Sequence, residues 1–165
     1  MTDESKVAQS KIVLAPKVSA SIRKATIADL EAIEKIDAAA LSVQDRFERT
    51  ALRRLLRSAT DIVIVAEHDG AIVGFAAVRR QGRDCWLHGV AVLPKFHRKG
   101  IGRQLVESVA RRTQREGKDL KLAVRADNLP AQRLYDTVGF RACEVRQRYY
   151  PDGAAGLIFE IKSGR

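Results

Sequence analysis

The apolar positions of this chain change period several times, and each change marks an element. Ser21-Ile22-Arg23-Lys24-Ala25 reads as a short edge strand. Thr26 has the chemistry of a helix N-cap, with Asp29 three residues on as the reciprocal acid of a capping box. Ile27, Leu30, Ile33, Ile36 and Ala40 then recur at helical spacing. A second amphipathic run, Phe47, Leu52, Leu55 and Leu56 with arginines opposite, predicts a helix over residues 45–58.

The period then drops to that of strands. Residues 61–67 are rich in β-branched side chains, and Asp69-Gly70 between this run and residues 71–80 is a hairpin signal. Residues 85–93 form a third strand, which Pro94 ends because it has no N–H for the ladder. Ile101, Leu105 and Val109 place a long helix over residues 100–117. Beyond it the pattern predicts a strand over 120–124, a helix over 131–138, and closing strands over 141–149 and 157–161. A meander passing into a strand–helix–strand crossover predicts an α/β (α+β) fold, a mixed sheet of six to seven strands with helices on both faces. Residues 1–20 hold no sustained period and read as a mobile N-terminal arm, with residues 21–162 as a single domain.

Composition narrows the function classes. A length of 165 residues suits one domain, and 45% hydrophobic residues are enough for a core. No apolar run approaches the roughly 20 residues of a membrane helix, so no membrane partner is expected. Met1-Thr2-Asp3-Glu4-Ser5 opens acidic and polar, unlike a secretory signal, which points to the cytoplasm. Cys85 and Cys143 stand far apart with no His/Cys cluster, giving neither a disulfide framework nor a metal site. The net charge of +10 fits a nucleic acid, an anionic small ligand or a solvated surface. It is spread along the chain, and five Phe, three Tyr and one Trp are few for a base-stacking platform. A nucleic-acid partner is therefore not expected.

The chemistry concentrates in Val90-Ala91-Val92-Leu93-Pro94-Lys95-Phe96-His97-Arg98-Lys99-Gly100-Ile101-Gly102-Arg103-Gln104-Leu105. A strand ends at proline, a basic loop follows, and two glycines open a long helix. The first N–H groups of a helix lack intrahelical partners and carry the positive end of its dipole. Glycines let a ligand approach the backbone, so the loop suits a pyrophosphate. The same residues also suit a plain glycine-started helix with solvated basic side chains. No Gly-x-x-x-x-Gly-Lys-Ser/Thr run exists, and position 105 is Leu where the dinucleotide fingerprint needs a third glycine.

This segment resembles the acetyl-CoA-binding motif of the GNAT (general N-acetyltransferase) superfamily. Val124-Arg125-Ala126-Asp127-Asn128-Leu129-Pro130-Ala131-Gln132-Arg133-Leu134-Tyr135-Asp136-Thr137-Val138-Gly139-Phe140 is similar to that superfamily's Asn-x-x-Ala-x-x-x-Tyr-x-x-x-Gly-Phe signature. The likeness covers residues 21–162, and within the superfamily it is nearest to bacterial ribosomal-protein-alanine N-acetyltransferases.

The resemblance implies acetyl-CoA as acetyl donor and a cleft where two parallel strands splay apart. It implies that Val90, Ala91 and Val92 offer backbone amides to the pantetheine arm. His97, Arg98, Lys99, Gly100, Ile101, Gly102 and Arg103 would hold the pyrophosphate, and Asn128 would touch the cofactor nearer the pantetheine. Tyr135 would be the general acid for the departing thiolate. The acceptor it implies is a protein N-terminus or lysine. A small-molecule amine, or a non-catalytic acyl-CoA-binding regulatory module, is the alternative, and the protein would be a monomer or homodimer.

Two departures stand out. Ala123 occupies the position of the relatives' glutamate base, and residues 85–89 carry no carboxylate. His88 is the nearest titratable candidate for the base, although simple alternation along the strand points it away from the cleft; Asp84 is a weaker one. The relatives' acidic pair near the last strand is replaced by Ala154-Ala155-Gly156, leaving Tyr149 and Tyr150 as candidate acceptor-site walls or as aromatics covering the sheet.

Overall fold

The computed structural model describes residues 17–164. Strand β1 (Ser21–Lys24) leads through a 3-10 turn (Ile27–Asp29) into α1 (Leu30–Ala40), and α2 (Arg49–Arg57) follows. The meander is β2 (Ile62–His68), β3 (Ala71–Gln81) and β4 (Asp84–Val92). A 3-10 turn at Pro94–Phe96 leads to α3 (Ile101–Arg115) and β5 (Leu120–Arg125), then α4 (Leu129–Val138), β6 (Arg141–Arg146) and β7 (Gly156–Ile161). Among the described residues no helix is long and apolar enough to cross a membrane.

The seven strands form one sheet in the order β1-β2-β3-β4-β5-β7-β6. The β4–β5 pair is parallel and the other neighbours are antiparallel. One face packs Leu105, Val106 and Val109 of α3 against Ile64, Val78, Leu87 and Leu122. The opposite face packs Ile33 and Ile36 of α1 and Leu52 and Leu55 of α2 against Val65, Phe75 and Ala77. The mixed sheet with helices on both faces is the architecture the hydrophobic pattern predicts.

Several boundaries differ from that pattern, each for a local reason. Helix α2 begins at Arg49, not residue 45, because the backbone N–H of Phe47 donates to Asp37 of α1 (2.9 Å) and leaves the helical path. Strand β6 stops at Arg146, because Arg148 takes a left-handed φ of 53° and turns the chain before the two tyrosines. Helix α4 begins at Leu129, with Asn128 as its N-cap accepting from the Ala131 N–H (3.2 Å). Of the expected arm over residues 1–20, residues 1–16 lie outside the described residues. Residues 17–20 run along α3: Val18 donates to the Lys99 carbonyl (3.0 Å), and the Gln104 side chain holds both the Val18 carbonyl (2.8 Å) and the Ala20 N–H (3.2 Å).

The capping box expected at Thr26 forms part of a larger polar knot. Asp29 is buried, accepts from the Thr26 N–H (2.7 Å) and takes both guanidinium nitrogens of Arg23 (2.8 and 2.9 Å). Arg23 also reaches Glu67 (2.9 Å), so one side chain ties β1, the start of α1 and β2. The Arg23 guanidinium lowers the Asp29 pKa from 3.8 to about 2. A carboxylate whose folded pKa is depressed stabilises the fold above its unfolded pKa and loses that contribution as pH falls through the folded value. Asp29→Asn should therefore be less stable than the parent at neutral pH, with the gap closing between pH 3.8 and about 2. Urea titrations across that range check this, and a gap independent of pH would sink it.

Candidate active site

The pairing of β4 with β5 is short: Cys85 lies opposite Leu120 and Trp86 opposite Lys121, and there it ends. That end is fastened by the Cys85 N–H donating to the Asp119 carbonyl (2.9 Å) and by an ion pair between Lys121 and Asp84 (2.7 Å). Asp84, a candidate base, is thus paired at the closed end. Beyond it β4 stays with β3 and β5 stays with β7, so the two halves of the sheet part. Backbone groups facing each other across the gap have lost their ladder partners and call for a ligand or water.

A β-bulge helps to bend β4 away. In the β3–β4 register Ala77 faces Gly89 and Val78 faces Leu87, so His88 is the extra residue. The bulge flips the alternation: Cys85 and Leu87 face the α3 side before it, and Val90 and Val92 after it. An extra residue redirects side chains in this way. His88 itself, next after Leu87, stands on the opposite face beside Gln81 and Arg79, as simple alternation places it, and is nonetheless among the residues lining the cleft. Its ring lies 3.4 Å from the Gln81 side-chain amide, and partial burial, with Arg79 nearby, lowers its pKa below 6.5.

Gly89, next to the bulge, is where the Phe47 ring rests. A Cβ there would lie 2.4 Å from the ring, so only glycine leaves the space. Phe47 meets Phe75 edge-on at 6.2 Å, and Arg46 caps the end of α1 through the Ala38 and Leu41 carbonyls (2.7 and 3.1 Å). The α1–α2 loop is thereby pinned beside the cleft, and Leu41 and Asp45 join its wall.

The cleft has a volume of about 470 Å³, and Val90, Ala123, Asn128, Tyr135, Tyr149 and Tyr150 are among its walls. Ala123 sits on the alternate face of β5 from buried Leu122 and Val124. Tyr135 comes from α4 and packs edge-on to Phe140 (5.7 Å). Burial, with Tyr150 adding to it, pushes its phenol up to about 12. Tyr149 and Tyr150 meet edge-on at 5.1 Å in the β6–β7 connection. Arg146 lies between Trp86 (5.9 Å) and Tyr149 (5.8 Å) while paired with Glu144, and Arg125 lies over Tyr150 (5.0 Å) while paired with Asp152 (2.5 Å).

A second cavity of about 440 Å³ continues past Val90, Ala131 and Leu134, which both cavities share, to the start of α3. Its walls include Val92, His97, Arg98, Gly100, Ile101, Gly102 and Arg103. The His97 ring donates to the Val92 carbonyl (2.7 Å), bracing the loop against β4. Arg98 adopts φ 57° and Gly100 φ 86°. Alternating left-handed residues turn successive N–H groups toward one concave point, a geometry that binds anions. The strain of a left-handed arginine, about 1–3 kcal/mol, is characteristic of functional loops. Two predicted phosphate ligands have other contacts: Arg103 pairs with Glu107 (2.7 Å), and the Lys99 ammonium lies over Phe96 (5.4 Å). Ala91, by contrast, is buried toward the α1 side, so only its backbone is on offer.

The structure therefore brings His88, Val90, Asn128, Tyr135, Tyr149 and Tyr150 to one cleft and the glycine loop to its extension. Sequence reasoning missed Asp45, Trp86 and Arg125 as wall residues. The bulge did leave a signal, the three-residue step from Leu87 to Val90 in an otherwise alternating apolar pattern. Asp45 lay concealed in a helix that was expected to start four residues too early.

Residues 27–140 match the acetyltransferase (GNAT) family. The N-alpha-acetyltransferase RimI of Mycobacterium tuberculosis is 31% identical over 144 residues, which cover 84% of this chain and 90% of that protein. The crystal structure of the ribosomal-protein-S18-alanine N-acetyltransferase from Escherichia coli has a TM-score of 0.80 at 25% identity, covering 89% of this chain and 96% of that one. Arabidopsis thaliana NAA60, solved in complex with acetyl-CoA, shares the fold at a TM-score of 0.73 and 19% identity, over 87% of this chain and 99% of that one. The overall fold is thus shared, and this chain belongs to the acetyltransferase (GNAT) family.

Proposed function

We propose that the cleft takes acetyl-CoA as donor and passes its acetyl group to the α-amine of a protein N-terminus, in the cytoplasm, with residues 21–162 as the catalytic domain. The observation that carries this reading is one groove running from the anion-binding loop to the half-buried Tyr135, through the shared walls Val90, Ala131 and Leu134. The names of the Mycobacterium and Escherichia relatives, an N-alpha- and an alanine N-acetyltransferase, support a protein N-terminus ahead of lysine or a small amine.

The chain's own residues fit the donor. The backbone of Val90, Ala91 and Val92, unpaired on the side facing β5, matches an extended arm carrying amides. The N–H groups of the loop from His97 to Arg103, with Arg98 beside them, match a pyrophosphate. Asn128, its carbonyl oxygen committed to capping α4, keeps its amide nitrogen for the arm. When bound, the thioester supplies an activated acetyl group.

Transfer requires two proton movements. The acceptor amine sheds a proton as its nitrogen bonds to the acetyl carbon, and His88, whose lowered pKa leaves it neutral at physiological pH, accepts it. The carbon–sulfur bond breaks, and Tyr135 gives its phenolic proton to the sulfur. Burial keeps that phenol protonated far above neutral pH. Tyr149 and Tyr150 flank the acceptor.

The test is thiol release from acetyl-CoA with an alanine-initiated peptide, a lysine peptide and a panel of small amines, alongside calorimetry of acetyl-CoA binding. Turnover of small amines without peptide turnover would overturn the acceptor, and binding without any turnover would make the protein a non-catalytic module. Tyr135→Phe should lose about 100-fold or more in kcat with acetyl-CoA affinity retained. Rates should rise with pH through a value below 6.5, a limb that His88→Gln removes. In alkaline titration by tyrosinate absorbance, the step lost in Tyr135→Phe should be the one near pH 12.

A further inference from the structure

The walls of the acceptor half of the cleft differ in how their charges are committed. Arg125 is paired with Asp152 (2.5 Å) and Asp127 (3.4 Å). Arg146 at the rim is held by both oxygens of Glu144 (2.8 and 3.0 Å). Asp45 is the one carboxylate among the residues lining the cleft. Its hydrogen-bond partner is the neutral Ser42 hydroxyl (2.5 Å), and among the described residues no cation pairs with it. In a chain of net charge +10, Asp45 thus brings to the cleft a negative charge that no ion pair neutralises among the described residues.

Asp45 is also held in place. Its N–H donates to the Ser42 carbonyl (2.9 Å), Arg46 caps α1, and the Phe47 N–H is bound to buried Asp37 (2.9 Å). The Phe47 ring fills the space over Gly89, next to the bulge that carries His88. The loop bearing the carboxylate is thus keyed to the strand that shapes the cleft. Asp45 shares the lining of the cleft with Tyr135, Tyr149 and Tyr150, acts electrostatically on Tyr150, and is not among the residues that line the phosphate-loop cavity.

We propose that Asp45 is an acceptor-binding residue: its carboxylate receives the α-ammonium of an incoming protein N-terminus and sets the preference for acceptors with a free, charged amine. This rests on the acetyltransfer reading and specifies which group meets the acceptor. It assigns to the α1–α2 loop the negative charge that the β6–β7 connection lacks, where Ala154-Ala155-Gly156 stand. Asp45 takes no proton: it orders the ammonium, which gives one proton to solvent to become the neutral amine that attacks, and the second proton, shed as nitrogen bonds to the acetyl carbon, goes to His88.

The experiment is calorimetry on the CoA-loaded protein with an alanine-initiated peptide and the same peptide blocked by N-acetylation. The parent should bind the free-amine peptide about tenfold or more tighter than the blocked one, as expected for a charge-assisted hydrogen bond. Asp45→Asn should erase that difference, Asp45→Glu should keep much of it, and Glu31→Gln, an equal change in net charge on an exposed surface, should leave it intact. In turnover, Asp45→Asn should raise KM for the amine far more than it lowers kcat. An unchanged preference for the free amine in Asp45→Asn overturns the proposal, as does absence of the preference in the parent. Failure of the parent to bind acetyl-CoA, measured separately, sinks the acetyltransfer reading itself.

Discussion

Two strands held by different neighbours cannot stay paired with each other once those neighbours pull apart, and this constraint organises the molecule. Strand β4 follows β3, and β5 follows β7 along its whole length. Their own parallel pairing covers only Cys85–Leu120 and Trp86–Lys121. The bulge at His88 bends β4 just where the pairing stops. What results is a wedge with polar backbone on its walls, closed at one end by Asp84–Lys121 and open toward the start of α3 and the N-terminus of α4. Unsatisfied buried amides cost about 1–3 kcal/mol each, so the backbone along this wedge needs a ligand or water to pair with.

Charge follows the same axis. The loop at His97–Arg103 presents oriented N–H groups and the positive end of a helix, while the far mouth of the cleft carries Asp45. Between them the arginines are paired or stacked. Exposed pairs of this sort contribute at most about 1 kcal/mol to stability, so their main consequence is to hold side chains in place. A groove that is positive at one end and negative at the other suits a ligand with phosphates at one end that meets an ammonium at the other. Part of the net charge of +10 belongs to that loop, whereas ion pairs such as Arg103–Glu107 and Arg141–Asp136 cancel and contribute none of it.

The burial of Tyr135 connects packing to chemistry. The aromatic contacts with Phe140 and Phe159 that seat α4 on the sheet also remove water from the phenol and keep its proton in place. One set of contacts thus anchors a helix and shields the phenol that faces the cleft. In the same way Phe47 both closes the space over Gly89 and fixes the loop that carries Asp45.

The sequence by itself determined the elements whose signals are local. Alternation wrote the meander, helical spacing wrote α1 and α3, and the run from Val90 to Leu105 declared a strand end followed by a glycine-opened helix start, since backbone geometry there follows from proline and glycine within a few residues. The motif around Asn128 and Tyr135 was legible for the same reason. Only the tertiary structure decided which side chains face one another across the cleft. The facing of Gly89, Val90 and Val92 depends on a bulge defined by register with β3, the position of Asp45 on a ring packed 42 residues away at Gly89, and the placement of Tyr149 on a turn after β6. These are contacts between segments distant in the chain, set by packing and strand register, and no window of neighbouring residues carries them.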